Sequence, residues 1–476
     1  MLHSDGSGIA PLQLSKSVLS SMEKYGSGYV TYPAMKHFST RFDADDFLET
    51  VADRRNPGPR HGLSLYLRMP GCGAGFDCQA CRGGSGRYRS RTDLYLGYLK
   101  REIDMQAALF SDMDAVEQLY VGAAASTCLC TGQSNDLMQH LRHSFNLAAG
   151  PGREYAIRIG ACAASTAHVH ALHVQGFNRL SLSAQDFSRH PADGIVHDGK
   201  RTQFSARAAE LVEAAQAAGF RSVSVDFIYG HPCQDLMSVA RNLSIIIAAG
   251  PDRVMLHGYM PPARTSRAGQ PSCCAQLPGT ESRLEMFHRC VRQLNAAGYA
   301  YIGMHHFTKP GDDLAVAQQQ GRLYRNLQGF SIHPETDAIG CGVSAIAAVG
   351  NTYSQNTTQL NSYYAKIDAG MLPIGRGMHL TTDDLLRRFI IERLACNFEL
   401  SIGVLEIAYP IVFKEYFAAE LGMLRPMEAD GLLRIAPDRI TVHPRGRLLI
   451  HVICGVFDRH RTASPDQKIH PQRSLG

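Results

Sequence analysis

The chain contains no tryptophan, and nowhere in its 476 residues is there a long apolar run. A helix that crosses a bilayer needs about twenty predominantly apolar residues. The best short stretch, Ser244–Ala249, falls far below that, so a membrane-spanning helix is not expected. The opening residues, Met1-Leu2-His3-Ser4-Asp5, lack the basic and apolar regions of a secretory signal. Charge is sparse and nearly balanced, at 48 Lys and Arg against 43 Asp and Glu, for a net +5. So weak an excess is no electrostatic footprint for nucleic acid, although it suits an acidic small substrate. No low-complexity tract interrupts the chain. Thirteen cysteines are present. In a large chain with no export signal they argue against a disulfide scaffold and for metal or redox chemistry. The expectation is a soluble, monomeric, cytoplasmic protein whose partners include neither nucleic acid nor membrane.

What is there is a repeating pattern. After a Pro/Arg-rich connector, Arg54–Arg60, short β-rich runs appear at Leu63–Met69, Gln118–Val121, Tyr155–Ile159, Arg179–Leu182, Ser222–Tyr229, Arg253–Tyr259 and Tyr301–Met304. Longer segments of helical spacing separate most of them, such as Phe204, Ala208, Leu211, Val212, Ala215 and Ala218 on one face. Strands alternating with helices imply a parallel sheet of right-handed βαβ units. Six or seven such units in this length predict an α/β fold, a partial or full (β/α) barrel rather than a Rossmann sheet. Beyond about residue 360 the pattern changes. Thr382–Ile391 reads as a capped amphipathic helix. Leu432–Ile435 and Arg439–Val442 flank Ala436-Pro437-Asp438 as a hairpin, followed by a helix over Gly446–Phe457. That order is a small winged module; without a strong basic run it reads as a cap over the barrel rather than a DNA reader.

The most informative local feature is Cys72-Gly-Ala-Gly-Phe-Asp-Cys78-Gln-Ala-Cys81. It follows the first strand and so falls at the C-terminal end of a barrel strand, where barrel active sites are built. Three thiolates on one loop can hold three irons of a [4Fe–4S] cluster and leave the fourth open to a ligand. Five residues separate the first two cysteines. Closing that loop costs only about 0.4 kcal/mol more than closing one with three, and Gly73 and Gly75 supply flexibility. The residues alone leave three readings open: a cluster, a remnant with three incidental thiols, or a zinc site completed by Cys128 or Cys130.

Several stretches in order carry a family resemblance. They include Tyr29-Val30-Thr31-Tyr32-Pro33, Leu63–Pro70, Gly176–Ser181 with Gln185-Asp186-Phe187, Asp226–Pro232, Ile302–Phe307, Leu314–Gln318, Gln328-Gly329-Phe330, Gly342–Ile346, Cys396-Asn397-Phe398 and Gly446–Ile450. Together they cover roughly residues 25–460, and the chain resembles the oxygen-independent coproporphyrinogen III oxidases, a radical S-adenosylmethionine (SAM) family of haem synthesis. The resemblance implies an N-terminal extension over 1–60, a radical SAM barrel over 61–310, a connector contributing to the active site over 311–360, and a mainly helical C-terminal cap domain over 361–476. It implies oxidative decarboxylation of propionates to vinyl groups, with a tetrapyrrole as substrate, a [4Fe–4S] cluster and SAM as cofactors, and an electron donor such as flavodoxin or ferredoxin. By position it assigns the cluster to Cys72, Cys78 and Cys81. Tyr66, Gln185, Asp226 and Ile346 match positions around SAM, and Met260 is included with them. An aspartate at a strand end can hold ribose hydroxyls, and an Ile can pack on adenine. A basic rim suits a substrate with four carboxylates, and Arg82, Arg87, Arg89 and Arg91 follow the cysteines.

The sequence departs from the family at the expected site. The residue before the last cysteine is Ala80 rather than aromatic. The glycine-rich stretch that cradles the methionine moiety is Gly122-Ala123-Ala124-Ala125-Ser126, whose added Cβ atoms restrict close approach. Arg158 stands in place of a glutamate, a donor for an acceptor, which if uncompensated costs several kcal/mol of cofactor binding. Arg68 replaces a histidine. The arginine expected after Gln185-Asp186-Phe187 has His197 as its nearest counterpart, with Arg201 a second choice. An alternative is therefore a porphyrin- or haem-binding paralogue without SAM cleavage, with axial ligands among the 21 histidines, such as His305-His306 and His231-Pro232-Cys233.

Overall fold

The computed structural model describes residues 32–54, 62–69, 86–110, 115–122, 129–161, 164–183, 198–231, 234–259, 278–327, 329–334 and 337–460, without the side chains of 86–90, 198–202 and 280. The chain divides into two compact units. Of the described residues, the larger takes those within Phe38–Phe287 and Glu335–His379; the other takes 32–37 and those within His288–Pro334 and 380–460.

The larger unit is built on six parallel strands: β1 (Leu63–Arg68), β2 (Val116–Gly122), β3 (Glu154–Gly160), β4 (Arg179–Ser183), β5 (Ser222–Tyr229) and β6 (Arg253–Gly258). They lie in chain order, each hydrogen-bonded to the next. A doubly wound sheet reverses its strand order at a switch point; this one does not, as a (β/α) barrel requires. On the other side of β1 the strand Asp337–Cys341 pairs parallel to it. Ile346–Val349, Thr352–Asn356 and Ile374–His379 then extend the sheet antiparallel.

Side chains alternate between faces along a strand. One face carries Leu65, Leu67, Leu119, Val121, Ile157, Ile159, Leu180, Leu182, Val223, Val225 and Leu256, all buried. The helices that alternate with the strands cover apolar surface of this kind; Asp198–Ala218, for example, packs on β4 and β5 and buries Ala208, Leu211, Val212 and Ala215. The helix Leu236–Ala249, which holds the apolar run noted in the sequence, starts at Asp235. The Asp235 side chain accepts from the Ser238 N–H at 2.7 Å. The helix ends at Gly250 in the left-handed region, φ 63°, where glycine carries no Cβ penalty.

In the other unit the helix Thr382–Asn397 is capped by Thr381 and Asp384, which satisfy each other's backbone N–H groups. The expected hairpin forms between Leu433–Ile435 and Arg439–Val442, and Glu399–Ser401 adds a third antiparallel strand. The single helix expected over Gly446–Phe457 is instead two short ones, Pro444–Arg447 and Ile450–Val456. Leu448 and Leu449 separate them, and both are buried. These elements share a core of Leu386, Ile390, Leu394, Phe413, Phe417 and Ile453. The seventh expected strand, Ala300–Gly303, turns through Met304 and His305, both at positive φ, into an antiparallel partner, His306–Thr308.

Candidate active site

The opposite face of β1–β6 is polar. The strand register places Tyr66 beside Tyr120, Tyr120 beside Ala156, Arg158 beside Ser181 and Ser183 beside Asp226. All of these positions share one face. Toward the N-terminal ends of the strands this face is closed by a buried chain of bonds. Ser64 donates to Gln118 at 2.8 Å, Gln118 donates to Glu154 at 2.6 Å, and Arg179 meets Glu154 at 2.7 Å. Each of these four side chains thus has a partner in the chain, as burial demands. The network is a floor, and the residues one layer above it face the C-terminal ends of the strands.

That upper layer is organised by charge. Arg158 on β3 reaches over β4 to Asp226 on β5, with Nη2 2.5 Å from Oδ2; Asp226 is 1% exposed. Burial opposes the Arg158 charge, but Asp226 and the Tyr120 hydroxyl beside it outweigh burial and hold the guanidinium above its usual range. His257 on β6 stands 3.8 Å from the other Asp226 oxygen. Tyr120 is half-buried; loss of water around its phenol pushes it up, and its ring lies tilted against Tyr66 with centroids 5.8 Å apart. Gly122 ends β2 within this layer. A Cβ there would run into the Tyr120 ring, so the tyrosine occupies the space the glycine leaves. Arg68, at the end of β1, is partly buried, which pushes its guanidinium down, while Tyr95 and Tyr120 act the other way.

Of the residues assigned to the site by resemblance, the structure thus brings together Tyr66, Gly122, Arg158 and Asp226. Ile346, half-buried, joins them by a second route: Gly340 pairs with Tyr66, and a Cβ on Gly340 would collide with the Ile346 backbone. Cys72, Cys78, Cys81, Ala123, Ala124, Gln185, His197 and Met260 lie outside the described residues. So do Arg82, Cys128 and the side chains of Arg87, Arg89 and Arg201; Arg91 is exposed. Cys130 is exposed, at the N-terminus of the helix Thr131–Ser144. Among the described residues no group of three or more His, Cys, Asp or Glu side chains is arranged to hold a metal ion. His231 lies tilted against Tyr259, with centroids 4.4 Å apart, and His306 bonds to the Met304 carbonyl at 2.9 Å. The sequence missed the floor residues and the arginine–aspartate pairing. The signal for the pairing was parity, since Arg158 and Asp226 are each the fifth residue of their strand.

The layout can be set beside known proteins. The HemN C-terminal domain model matches residues 380–449. Oxygen-independent coproporphyrinogen III oxidase from Pseudomonas aeruginosa is 38% identical over 91% of this chain and 93% of its own length. The enzyme of the same name from Escherichia coli K12 is 35% identical over 93% and 95%. The chain belongs to the oxygen-independent coproporphyrinogen III oxidase family. A solved structure described as coproporphyrinogen III oxidase (HemN) from Escherichia coli, a radical SAM enzyme, superposes with a TM-score of 0.79 at 34% identity. It covers 93% of this chain and 99% of that one. In this member of the family the strand-end aspartate is engaged by an arginine of its own barrel. The charge that Arg158 introduces is compensated within the protein, which the sequence reading had left open.

Proposed function

We propose that the protein carries out the oxygen-independent oxidative decarboxylation of coproporphyrinogen III propionates to vinyl groups, by radical SAM chemistry, in haem synthesis. The observation that carries this reading is a family match running through both units, joined to a polar strand face that gathers Tyr66, Asp226 and Ile346 where barrel enzymes act. The donor set suits an adenosyl cofactor. Asp226 is an acceptor for ribose hydroxyls, and Ile346 and Tyr66 are apolar and aromatic surface for adenine. The Arg158–Asp226 pair offers that ligand a donor and an acceptor together, at no net charge. Cys72, Cys78 and Cys81 would hold the cluster. When bound, cluster and SAM would supply a 5′-deoxyadenosyl radical for removing hydrogen from a propionate β-carbon; loss of carbon dioxide, with the remaining electron passed to a one-electron acceptor, would leave a vinyl group. Arg82, Arg87, Arg89 and Arg91 would pair with the substrate carboxylates, for which a guanidinium has the matching bidentate geometry. The protein works as a cytoplasmic monomer without nucleic acid or membrane and draws its electron from a flavodoxin- or ferredoxin-like donor. Among the described residues no helix is long and apolar enough to cross a membrane.

The test is anaerobic reconstitution with iron and sulfide, followed by reductant, SAM and coproporphyrinogen III. The expected products are 5′-deoxyadenosine, carbon dioxide and protoporphyrinogen IX, and Cys78→Ala removes both the cluster absorption and the products. A wild-type protein that assembles no cluster, cleaves no SAM and binds haem tightly overturns the reading.

A further inference from the structure

One buried acid in the larger unit has no part in the chemistry above. Glu102 sits in the helix Gly86–Phe110 and is fully buried. Three donors converge on its carboxylate. The Gly342 N–H gives 2.7 Å, the Tyr363 hydroxyl 2.6 Å and the Asn356 amide 2.6 Å. The same Asn356 amide also donates to the Gly342 carbonyl at 2.9 Å, so Glu102 and Asn356 hold both polar groups of one glycine. Two turns earlier on the helix, the buried Tyr95 hydroxyl donates to the Arg68 carbonyl at 2.6 Å and accepts from the Val343 N–H at 3.0 Å. Gly342 is at φ 107°, and a Cβ there would strike both the Arg68 carbonyl and the Tyr95 hydroxyl. The turn is thus pressed onto the C-terminal end of β1 with no room for a side chain. Met69 continues the lock by donating to the Gly122 carbonyl at 2.7 Å.

These contacts join two pieces of chain. One is the end of β1, after which the chain runs on to the cysteines. The other is the turn that leads through Ser344 to Ile346. We propose that Glu102 and Tyr95 are positioning residues that hold the 342–346 turn, and with it Ile346, in register with the C-terminal end of β1. The inference rests on the function proposed above for its meaning, while its geometry is tested separately. A packing role alone would be filled by an apolar residue at lower cost, because an acid in this place must be desolvated. What the acid adds is three directed acceptor bonds, one of them to the backbone of the turn.

The groups facing Glu102 are Tyr95 on its own helix, Cys341 on the strand before the turn, Asn356 on the strand after it and Tyr363 on the helix Leu360–Asp368. Burial pushes the Glu102 carboxyl up to about 7, against the three hydrogen bonds, which act to lower it. A carboxyl raised in the closed turn contributes holding strength that is full below its ordinary value and is lost as pH rises through about 7.

The experiment is hydrogen exchange by mass spectrometry on the full chain, corrected for intrinsic rates, following peptides that span residues 63–69 and 340–347 between about pH 5 and pH 8. In the wild type, protection of 340–347 falls with rising pH by roughly 30- to 300-fold. In Glu102→Gln that pH dependence is absent. In Tyr95→Phe both peptides lose protection together, at least about tenfold, while peptides from the β4–β5 region do not change. Affinity for S-adenosylhomocysteine, used as the probe, weakens in Tyr95→Phe and loses its pH dependence in Glu102→Gln. If the wild-type chain does not bind S-adenosylhomocysteine, the functional reading fails and the exchange data alone decide the positioning. Unchanged protection of 340–347 in both variants, or a wild-type pH profile retained in Glu102→Gln, overturns the proposal.

Discussion

Arg158 and Asp226 carry opposite charges inside a barrel face, and neither can be changed alone without consequence. Removing the guanidinium leaves a carboxylate that is 1% exposed with its main counter-charge gone, and breaking such a buried pair costs about 3–5 kcal/mol. Arg158→Met is therefore expected to destabilise the larger unit by that amount, read as a lowered urea midpoint with an unchanged slope. Adding Asp226→Asn recovers most of the loss, because the uncompensated charge is then absent. A double variant as unstable as Arg158→Met shows that the arginine acts through packing instead. The pair also changes how the glutamate of the family is to be restored. Arg158→Glu would set two carboxylates against each other, and one of them would hold its proton to a higher pH than a lone carboxyl does. Any gain in affinity for S-adenosylhomocysteine in that variant is thus expected at high pH and is lost as the pH falls, in a binding titration run across that range.

Elements were more legible than the contacts between them. The six parallel strands follow the β-rich runs within a residue or two, because each is a short apolar stretch bounded by turn residues. The helix Leu236–Ala249 declares its start through Asp235 and Ser238, and its stop through Gly250. Asp235→Ala orphans the Ser238 N–H and is expected to cost about 1 kcal/mol, visible as a shifted urea midpoint; no shift would mean that another group caps the helix. The break at Leu448-Leu449 was not legible, since both residues continue a helical apolar pattern and are turned inward by the core they join. The site was legible position by position through the family and illegible as a geometry. Arg158 and Asp226 are 68 residues apart, and only the strand order makes them neighbours. Glu102 does carry a signal in the sequence. It lies on the stripe of Leu99, Ile103, Gln106 and Phe110, a face that is buried throughout, and an acid on such a stripe needs donors waiting for it.

At the scale of the molecule the two units respond to acid with opposite signs. In the larger unit the Glu102 carboxyl, raised by burial to about 7, contributes stability that is present below its ordinary value of 4.5 and lost as the pH climbs through 7. In the other unit Asp383 and Asp384 cap and flank the helix Thr382–Asn397. Burial acts to raise the Asp384 carboxyl, but hydrogen bonds from Thr381 and His460 and the Arg459 charge outweigh it and hold it below its ordinary range. Burial likewise acts on Asp383 and is outweighed by the Tyr416 hydroxyl with Arg387 and Arg459. A depressed carboxyl contributes stability that is present above its ordinary value of 3.8 and is lost as the pH falls through the folded one. Lowering the pH from about 7 to about 3 should therefore loosen the helix Thr382–Asn397 while the 342–346 turn tightens. Hydrogen exchange on peptides from both regions, corrected for intrinsic rates, reads the two at once. Asp384→Asn, which keeps an acceptor at Thr381 and cannot titrate, should reduce only the C-terminal response, to the share that Asp383 carries, and leave the turn as it was. If acid loosens both regions in parallel, the carboxyls named here do not set the acid response, and a global unfolding step common to both units does.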